Sequence, residues 1–245
     1  MAKLFHLPVV DSTNTYAKTH IEDLEDRTAV WADRQTGGKG RLGRSWSSPV
    51  GNLYLSMVFQ NPRCDISLFP LLCAVAVSRA VKAQTGANPL IKWPNDLVLN
   101  GKKICGILCE SVISSGKIQV VCGMGVNLNL GKESYSAQQL PYATSLKIET
   151  GRDYSIEAFA YAVSRELERT VDIYLEKGFS VFREEYESIL VNRGKTVKVV
   201  YENQTIEATA LGIVENGNLL CRKEDGSLLR INSGEASVRG LYGYV

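Results

Sequence analysis

Apolar residues follow two periodicities along the chain, which together predict a mixed fold. Alternating or continuous apolar runs typical of strands occur at residues 4–10, 28–32, 53–59, 89–93, 96–99, 102–112 and 117–130. Spacings of three and four predict helices at residues 15–24, 66–85, 156–177 and 181–190. Long helices interspersed with strands predict an α/β (α+β) fold, in which helices pack on a mixed sheet.

The pattern changes after Arg193-Gly194, where short β runs alternate with turns. The runs cover residues 195–201, 205–214, 218–222 and 228–231. Asn216-Gly217 and Asp225-Gly226 are among the turns. Such spacing predicts a small antiparallel barrel. We therefore expect one domain over residues 1–190 and a second over residues 191–245.

Composition and charge narrow the class of protein. The 245 residues are 44% hydrophobic, which is ordinary for a globular protein. A net charge of +2, from 28 basic and 26 acidic residues, gives no general case for binding nucleic acid or a membrane. No apolar run reaches the ~18 residues of a membrane helix, and the first residues are too broken for a signal peptide. We expect a cytoplasmic protein.

Cysteine and histidine usage excludes some chemistry. No C-x-x-C pair occurs among Cys64, Cys73, Cys105, Cys109, Cys122 and Cys221. Cys105 and Cys109 would lie about 13 Å apart in a strand and cannot bind one ion alone. Free, buried thiols are therefore expected. Neither His6 nor His20 lies near a nucleophile motif, so a catalytic triad is not predicted.

The segment Gly37–Trp46 holds four glycines, three cations and a tryptophan. Glycine lets backbone N–H groups approach a ligand, and the cations bind phosphate or carboxylate oxygens. The pattern G-x-G-x-x-G also fits a dinucleotide fingerprint, but no helix follows it. A site for an anionic, ring-bearing ligand and a solvated surface turn both remain open.

Two further segments carry candidate chemistry. Lys92-Trp93-Pro94-Asn95-Asp96 places a carboxylate near cations, as a Mg²⁺–phosphate site requires, although a surface hairpin edge explains it equally well. Gly106 in a predicted strand indicates close approach by a ligand, or a bulge. By strict alternation Lys103 lies on the face opposite Gly106, unless the hairpin end twists it inward.

Two polar segments complete the candidates. Asn127 and Asn129 share a face if the strand continues through them. Their amide groups suit hydrogen bonds to a ribose hydroxyl or a base edge. The alternative is a pair of polar side chains whose hydrogen bonds are satisfied at the end of the sheet. Asp11-Ser12-Thr13-Asn14 predicts a helix cap, with contact to a polar ligand as the alternative.

Together these segments resemble the biotin–protein ligases, also called biotin–acetyl-CoA-carboxylase ligases. The matching motifs, in order, are Asp11-Ser12-Thr13-Asn14, the glycine loop 37–46, Lys92-Trp93-Pro94-Asn95-Asp96, Lys103-x-x-Gly106-Ile107-Leu108-x-Glu110 and Gly123-x-Gly125-Val126-Asn127. The family's loop usually reads G-R-G-R-x-G-R, and Lys39 replaces its first arginine. Lysine keeps the charge without bidentate geometry, so some leakage of biotinyl-AMP is expected.

The resemblance implies an SH3-like C-terminal barrel and a two-step ligase using biotin, ATP and Mg²⁺. Biotin would contact Ser12, Thr13, Gln35, Gly38, Lys39, Arg41, Lys103 and Gly106. ATP and the adenylate would contact Arg41, Arg44, Trp46, Lys103, Asn127 and Arg239. Lys103 would be the main catalytic cation, assisted by Arg41 and Lys92, and Asp96 would hold the metal. Residues 131–142 would form a loop that covers the adenylate.

The same resemblance implies a partner and defines the rivals. The acceptor would be the biotin carboxyl carrier domain of a biotin-dependent carboxylase, and a homodimer is compatible with the family. The matching region begins at Leu4, so we expect no helix-turn-helix and no DNA binding. The alternatives are a lipoate or octanoate ligase of the same fold, and a non-catalytic biotin or nucleotide sensor.

Overall fold

The structure, a computed structural model, describes residues 3–201, 204–233, 237–240 and 244–245. Its helices are α1 (Thr13–Thr19), α2 (Phe69–Thr85), α3 (Lys132–Ala137), α4 (Leu146–Thr150), α5 (Ile156–Lys177) and α6 (Ser180–Ser188). Its strands are β1 (Leu4–Val10), β2 (Ala29–Gln35), β3 (Leu53–Gln60), β4 (Leu90–Lys92), β5 (Asp96–Leu99), β6 (Lys102–Ser114), β7 (Lys117–Val126), β8 (Thr196–Tyr201), β9 (Gln204–Ile213), β10 (Leu219–Arg222), β11 (Leu228–Ile231) and β12 (Ser237–Gly240).

A seven-stranded mixed sheet forms the larger part, in the order β1-β2-β3-β7-β6-β5-β4. β1 and β2 are parallel, and every other pair is antiparallel. Asn100 and Gly101 both take positive φ values in the predicted turn between β5 and β6. The predicted α/β architecture with helices on a mixed sheet is confirmed.

The two faces of the sheet differ. α2 and α5 cover one face: α2 is apolar nearly all round and packs on β6, β7 and α5, and α5 also packs on β3. The stretch Ile66–Thr85 is long and apolar enough to cross a membrane, but 67% of it is buried within the protein. On the opposite face, within the part of the chain that the structure describes, the short α1 packs through Ala17, together with Ile21 just beyond that helix. The second face is therefore open beside α1, where the sheet's glycines lie.

The C-terminal region forms a separate antiparallel sheet in the order β11-β10-β9-β8-β12. Sequence periodicity predicted the first four of these strands but missed β12, which is only four residues long. Trp93 joins this sheet to the larger one, since its indole Nε1 donates to the Gly217 carbonyl over 3.0 Å. The peptide bond between Trp93 and Pro94 is cis.

Removing this indole donor is expected to weaken the whole protein. Trp93 is 2% exposed, and in a Trp93→Phe variant the Gly217 carbonyl would lose the donor. An unsatisfied buried carbonyl costs about 1–3 kcal/mol. We expect the free energy of unfolding, measured in urea, to fall by about that amount. An unchanged urea midpoint would contradict this role for the indole.

Two of the element boundaries that differ from the sequence expectation bear on the site. α1 begins at Thr13 rather than residue 15, because Ser12 is the N-cap and accepts from the Thr15 N–H. β7 stops at Val126 rather than continuing to residue 130, because the Asn127 carbonyl turns away from β6 and accepts from the Leu146 N–H over 3.0 Å. Asn127 and Asn129 therefore do not share a strand face.

Candidate active site

The floor of the site is the open face of β6 and β7, where glycines replace side chains. Gly106 and Gly125 are cross-strand partners. A Cβ on Gly106 would lie 2.7 Å from the Trp46 ring, and one on Gly125 would lie 2.6 Å from Trp46 Nε1. The indole of Trp46 therefore rests on a surface that only glycine provides. Its Nε1 is buried without a partner among the described residues, so it is a donor available to a ligand.

A bulge in β6 brings Lys103 to this same face. Leu97 pairs with Cys105 and Val98 with Lys103, so one extra residue of β6 lies between the two pairs. The extra residue resets the alternation of side chains. Lys103 Cε lies 3.2 Å from the point where a Gly106 Cβ would stand. The expectation from strict alternation, that Lys103 faces away from Gly106, is wrong for this reason.

Lys103 is paired with the carboxylate of the Lys-Trp-Pro-Asn-Asp run. Its Nζ lies 2.6 Å from Asp96 Oδ1 and 4.9 Å from the centroid of the Trp46 ring. Tyr244 donates its hydroxyl to the other carboxylate oxygen of Asp96. Burial, together with the charge of Asp96, raises the pKa of Tyr244, so this hydroxyl remains a donor at neutral pH.

Aromatic rings from the C-terminus cover the second lysine of the site. Lys92 Nζ lies 3.6 Å from the centroid of the Tyr244 ring, and its side chain is buried. Tyr244 also stacks with Tyr142 at a centroid distance of 5.9 Å. The last residues of the chain and the segment after α3 thus meet over the cationic part of the site.

The glycine loop folds back on itself beside this floor. Gly38 and Trp46 are joined by a hydrogen bond from the Trp46 N–H to the Gly38 carbonyl, 2.9 Å long. Lys39 and Ser45 form a β-bridge further along. Leu42 and Gly43, at the tip, have φ values of 56° and 70°. The loop is an ordered hairpin-like turn and opens no helix, which agrees with the rejection of a dinucleotide fingerprint.

Arg41 points inward from this loop. Its Nη1 donates to Asn95 Oδ1 over 3.1 Å, and its Nη2 donates to the Ser233 carbonyl of the C-terminal sheet. Burial lowers the pKa of Arg41, while the charge of Asp96 opposes that shift. A guanidinium has five donors, and these two contacts use only part of its capacity. Arg41 is therefore a partly buried cation suited to an anionic ligand.

A pocket of neutral polar groups lies between the loop and the start of α1. The Thr13 backbone N–H and hydroxyl both donate to Gln35 Oε1, at 2.8 and 3.1 Å. Gln35 Nε2 donates to Ser48 Oγ over 2.8 Å. Ser12 and Thr13 are almost fully buried. This network holds Gln35 and the hydroxyls in fixed positions around a small cavity that also reaches Gly106.

A second, wider groove opens beyond Trp46. Its volume is about 960 Å³, within the range of small-molecule sites. Its described lining includes Arg41, Arg44, Trp46, Lys92, Asp96, Lys103, Asn127, Gln138, Tyr142 and Tyr244. Arg44 is exposed at its edge. The expected loop 131–142 contains the short helix α3, and its remaining part lines this groove.

The contacts of three candidate residues with the site are less direct or are not described. Lys39 lines the small cavity, but its Nζ donates to Thr15 Oγ1 over 3.0 Å. Asn127 lines the groove, yet its Nδ2 donates to the Thr144 carbonyl over 2.9 Å. The side chain of Arg239 lies outside the described residues.

Sequence reasoning overlooked several residues that shape the site. Asn95 holds Arg41 and also donates to the Ile107 carbonyl over 2.7 Å. Asn14 donates to Glu110 Oε2 over 2.8 Å, and Gly123 makes room for it. Both asparagines stand inside motifs already singled out. Tyr244 lies four residues after the end of β12 and carries no motif that could have identified it.

Substituting Gly38 tests how tightly the loop is built. An Ala Cβ at this position would lie 2.4 Å from the Trp46 carbonyl oxygen, so the loop would have to move. A displacement of about 1 Å can cost about 100-fold in rate. We expect Gly38→Ala to lower kcat/KM for the ligand of this pocket by that order. Gly37→Ala is the matched control, since its Cβ would make an ordinary 3.5 Å contact. Equal losses in both variants would contradict this prediction.

Comparison with known proteins gives one consistent family. Residues 6–127 match the Biotin/lipoate A/B protein ligase family, and residues 194–239 match the Biotin protein ligase C terminal domain. The bifunctional ligase/repressor BirA of Escherichia coli is 32% identical over 238 residues, covering 95% of this chain and 73% of that protein. The biotin–[acetyl-CoA-carboxylase] ligase of Paracoccus denitrificans is 31% identical, covering 88% of this chain and 92% of its own.

Solved structures agree in fold. The biotin protein ligase from Aquifex aeolicus, in complex with biotin and ATP, superposes with a TM-score of 0.86 at 33% identity. The match covers 98% of this chain and 100% of the other. The biotin protein ligase of Leishmania major, in complex with biotinyl-5-AMP, gives a TM-score of 0.64 at 25% identity.

Proposed function

The chain belongs to the biotin protein ligase family, and we propose that the site around Lys103 carries out both steps of its reaction. The protein activates biotin with ATP and transfers biotin to a carrier protein. In the first step the biotin carboxylate attacks the α-phosphate, which gives biotinyl-5′-AMP and pyrophosphate. In the second, a lysine amine of the carrier attacks the mixed anhydride and releases AMP.

The first step brings two anions together, and we assign to Lys103 the role of offsetting their repulsion. A carboxylate with a pKa near 4–5 is already ionised at neutral pH, so no general base is needed. Fixed cations at the reacting atoms stabilise the charge that develops in phosphoryl transfer. The observation that carries the proposal is the bulge in β6, which puts Lys103 between the neutral polar pocket and the wider groove.

The polar pocket suits the ring of biotin. Ser12, Thr13 and Gln35 offer donors and acceptors that match a ureido group, and their hydrogen bonds to one another fix their directions. Gly106 lines the pocket with Lys39, and the backbone of Gly38 lies directly behind Ser48 and Gln35, where it would help to hold the biotin ring. These groups are uncharged apart from Lys39, which fits a neutral ring whose charged carboxylate points toward Lys103.

The wider groove suits the nucleotide. Arg41 and Arg44 would bind phosphates, with Lys92 beside them as a further cation. Trp46 offers a flat ring near the adenosine, and Asn127 would meet the same side. A role for Arg239 remains part of this proposal. Residues 131–142 would close over the adenylate and keep water from the mixed anhydride.

The donor set also fits Mg²⁺. Asp96 is the one carboxylate in the described lining of the wider groove, and it lies beside cations that would bind phosphates. Mg²⁺ is commonly bound by one or two carboxylates together with substrate phosphate oxygens. Asp96 would hold the ion, and the ion would neutralise phosphate charge during the displacement.

We also propose which carrier protein accepts the biotin. A relative of similar length acts as a biotin–[acetyl-CoA-carboxylase] ligase, which favours the biotin carboxyl carrier domain of a carboxylase as acceptor. We also propose that the protein is a homodimer and is cytoplasmic. We propose that it divides into a catalytic domain (1–190) and an SH3-like barrel (191–245).

The acceptor can be tested by incubating the protein with biotin, Mg·ATP and a purified carrier domain.

Intact-mass spectrometry is the appropriate measurement for this experiment. We expect one biotin per carrier domain and none on a carrier whose target lysine is changed to arginine. Lipoate and octanoate, offered in place of biotin, should leave the carrier unmodified. Modification by lipoate but not biotin would overturn the assignment of the polar pocket. Modification of the carrier whose target lysine is changed to arginine would overturn the transfer step.

A further inference from the structure

Three cysteines from distant parts of the sequence meet on the far side of the sheet. Cys73 lies on α2, Cys109 on β6 and Cys122 on β7. Their Sγ atoms all lie within 4.8 Å of one another, and those of Cys73 and Cys109 are 3.8 Å apart. Sequence spacing considered only Cys105 with Cys109, and it could not predict a trio that long-range packing assembles.

This thiol cluster (Cys73, Cys109 and Cys122) is separate from the proposed ligase site. It lies on the sheet face that packs against α2, whereas Gly106, Gly125 and Lys103 lie on the open face. Cys73 and Cys122 are fully buried, and Cys109 is partly exposed.

The three thiols are close enough to shift the pKa values of one another. Burial raises the pKa of Cys109, but hydrogen bonds with Cys122 and Cys73 outweigh this and hold its pKa below the usual value. Burial raises the pKa of Cys73 and Cys122. The geometry is the stronger argument, because three soft sulfur donors converge from α2, β6 and β7 within 4.8 Å of one another.

We propose that the thiol cluster is a three-sulfur binding site for a soft monovalent cation, Cu(I). Thiolate bonds of about 2.3 Å place three sulfurs of a trigonal site about 4 Å apart, close to the spacing found here. Soft thiolate ligands select Cu(I) or zinc, and structural zinc sites use four ligands. The described His, Cys, Asp and Glu residues supply three ligand atoms to this cluster and no fourth.

Binding of Cu(I) would link the helix of the core to the two strands that carry the proposed ligase site. Each thiol that becomes a thiolate releases one proton, and the copper stays in its monovalent state, so no oxidant or reductant is consumed. The bound ion would tie α2 to β6 and β7. Because the cluster exists only in the folded chain, binding should raise the melting temperature.

The test is an anaerobic titration of the full chain with Cu(I), in competition with bicinchoninate. We expect one Cu(I) per chain and a higher melting temperature in its presence. Cys109→Ala and Cys73→Ala should weaken binding by about 100-fold or more, since loss of even an outer-shell partner costs 10- to 100-fold. Cys105→Ala is the matched control, because it removes a buried thiol from the same strand and should bind Cu(I) as the wild type does.

X-ray absorption at the copper edge of the wild-type protein keeps the proposal testable if a variant fails to fold. Three sulfur neighbours at a single distance would support it. Binding of zinc with the same cysteine dependence, but no binding of Cu(I), would overturn the three-coordinate assignment. Equal affinity in the wild type and the Cys109→Ala variant would overturn the site itself.

Discussion

Replacing Lys103 with alanine is expected to lower kcat for biotin adenylation by about 100- to 1,000-fold, the usual effect of removing one fixed donor to developing charge. Lys103 Nζ is held 2.6 Å from Asp96 and lies between the polar pocket and the wider groove. A short side chain there would leave the biotin carboxylate and the α-phosphate to repel each other. Stopped-flow or quench measurement of biotinyl-5′-AMP formation gives kcat directly.

Lys102→Ala is the matched control for this variant. Lys102 is the preceding residue of β6 and is exposed, so its loss removes the same charge without touching the site. The fold should survive in both variants, as judged by near-ultraviolet circular dichroism. A fall of less than about fivefold in kcat for Lys103→Ala, or an equal fall for Lys102→Ala, would remove Lys103 from its assigned role.

The second large effect is expected at Arg41. In an Arg41→Ala variant, kcat/KM for ATP should fall by about 10- to 150-fold, because hydrogen bonds to charged groups contribute about 1.5–3 kcal/mol each. Arg41 is anchored by Asn95 and by the Ser233 carbonyl, so its guanidinium is already oriented toward the groove. Initial rates at varied ATP, with biotin saturating, separate KM from kcat.

Two further variants serve as comparisons for Arg41→Ala. Arg41→Lys keeps the charge but loses the planar fork, so it should fall between the wild type and Arg41→Ala. Arg34→Ala removes an exposed arginine near the end of β2 and should leave the kinetics unchanged. A rise in the KM for biotin alone, with that for ATP unchanged, would place Arg41 at the other substrate.

The elements of this fold were largely readable from local patterns. α5, whose apolar stripe and flanking Ser155 and Gly178 mark both ends, was predicted with its observed bounds. The Asn100-Gly101 turn was predictable because both positions need positive φ. Short elements with weak periodicity, such as β12 and α3, were not.

The site was predictable in its parts but not in its geometry. Motif residues such as Gln35, Lys103 and Asp96 carry the family signature, yet the orientation of Lys103 depends on a bulge that no periodicity reveals. Tyr244 reaches Asp96 across 148 positions of sequence, a contact that no local pattern encodes. Long-range packing of this kind, as in the thiol cluster, is invisible to local rules.

Exchange of radiolabelled pyrophosphate into ATP tests the central claim most directly, because it isolates the adenylation step from the carrier. We expect exchange that depends on biotin, is absent with lipoate or octanoate, and is lost in Lys103→Ala while Lys102→Ala retains it. Exchange driven by lipoate, or full biotin-dependent exchange in Lys103→Ala, would contradict the account. Absence of exchange with every acid, in folded protein that binds ATP, would favour a non-catalytic sensor.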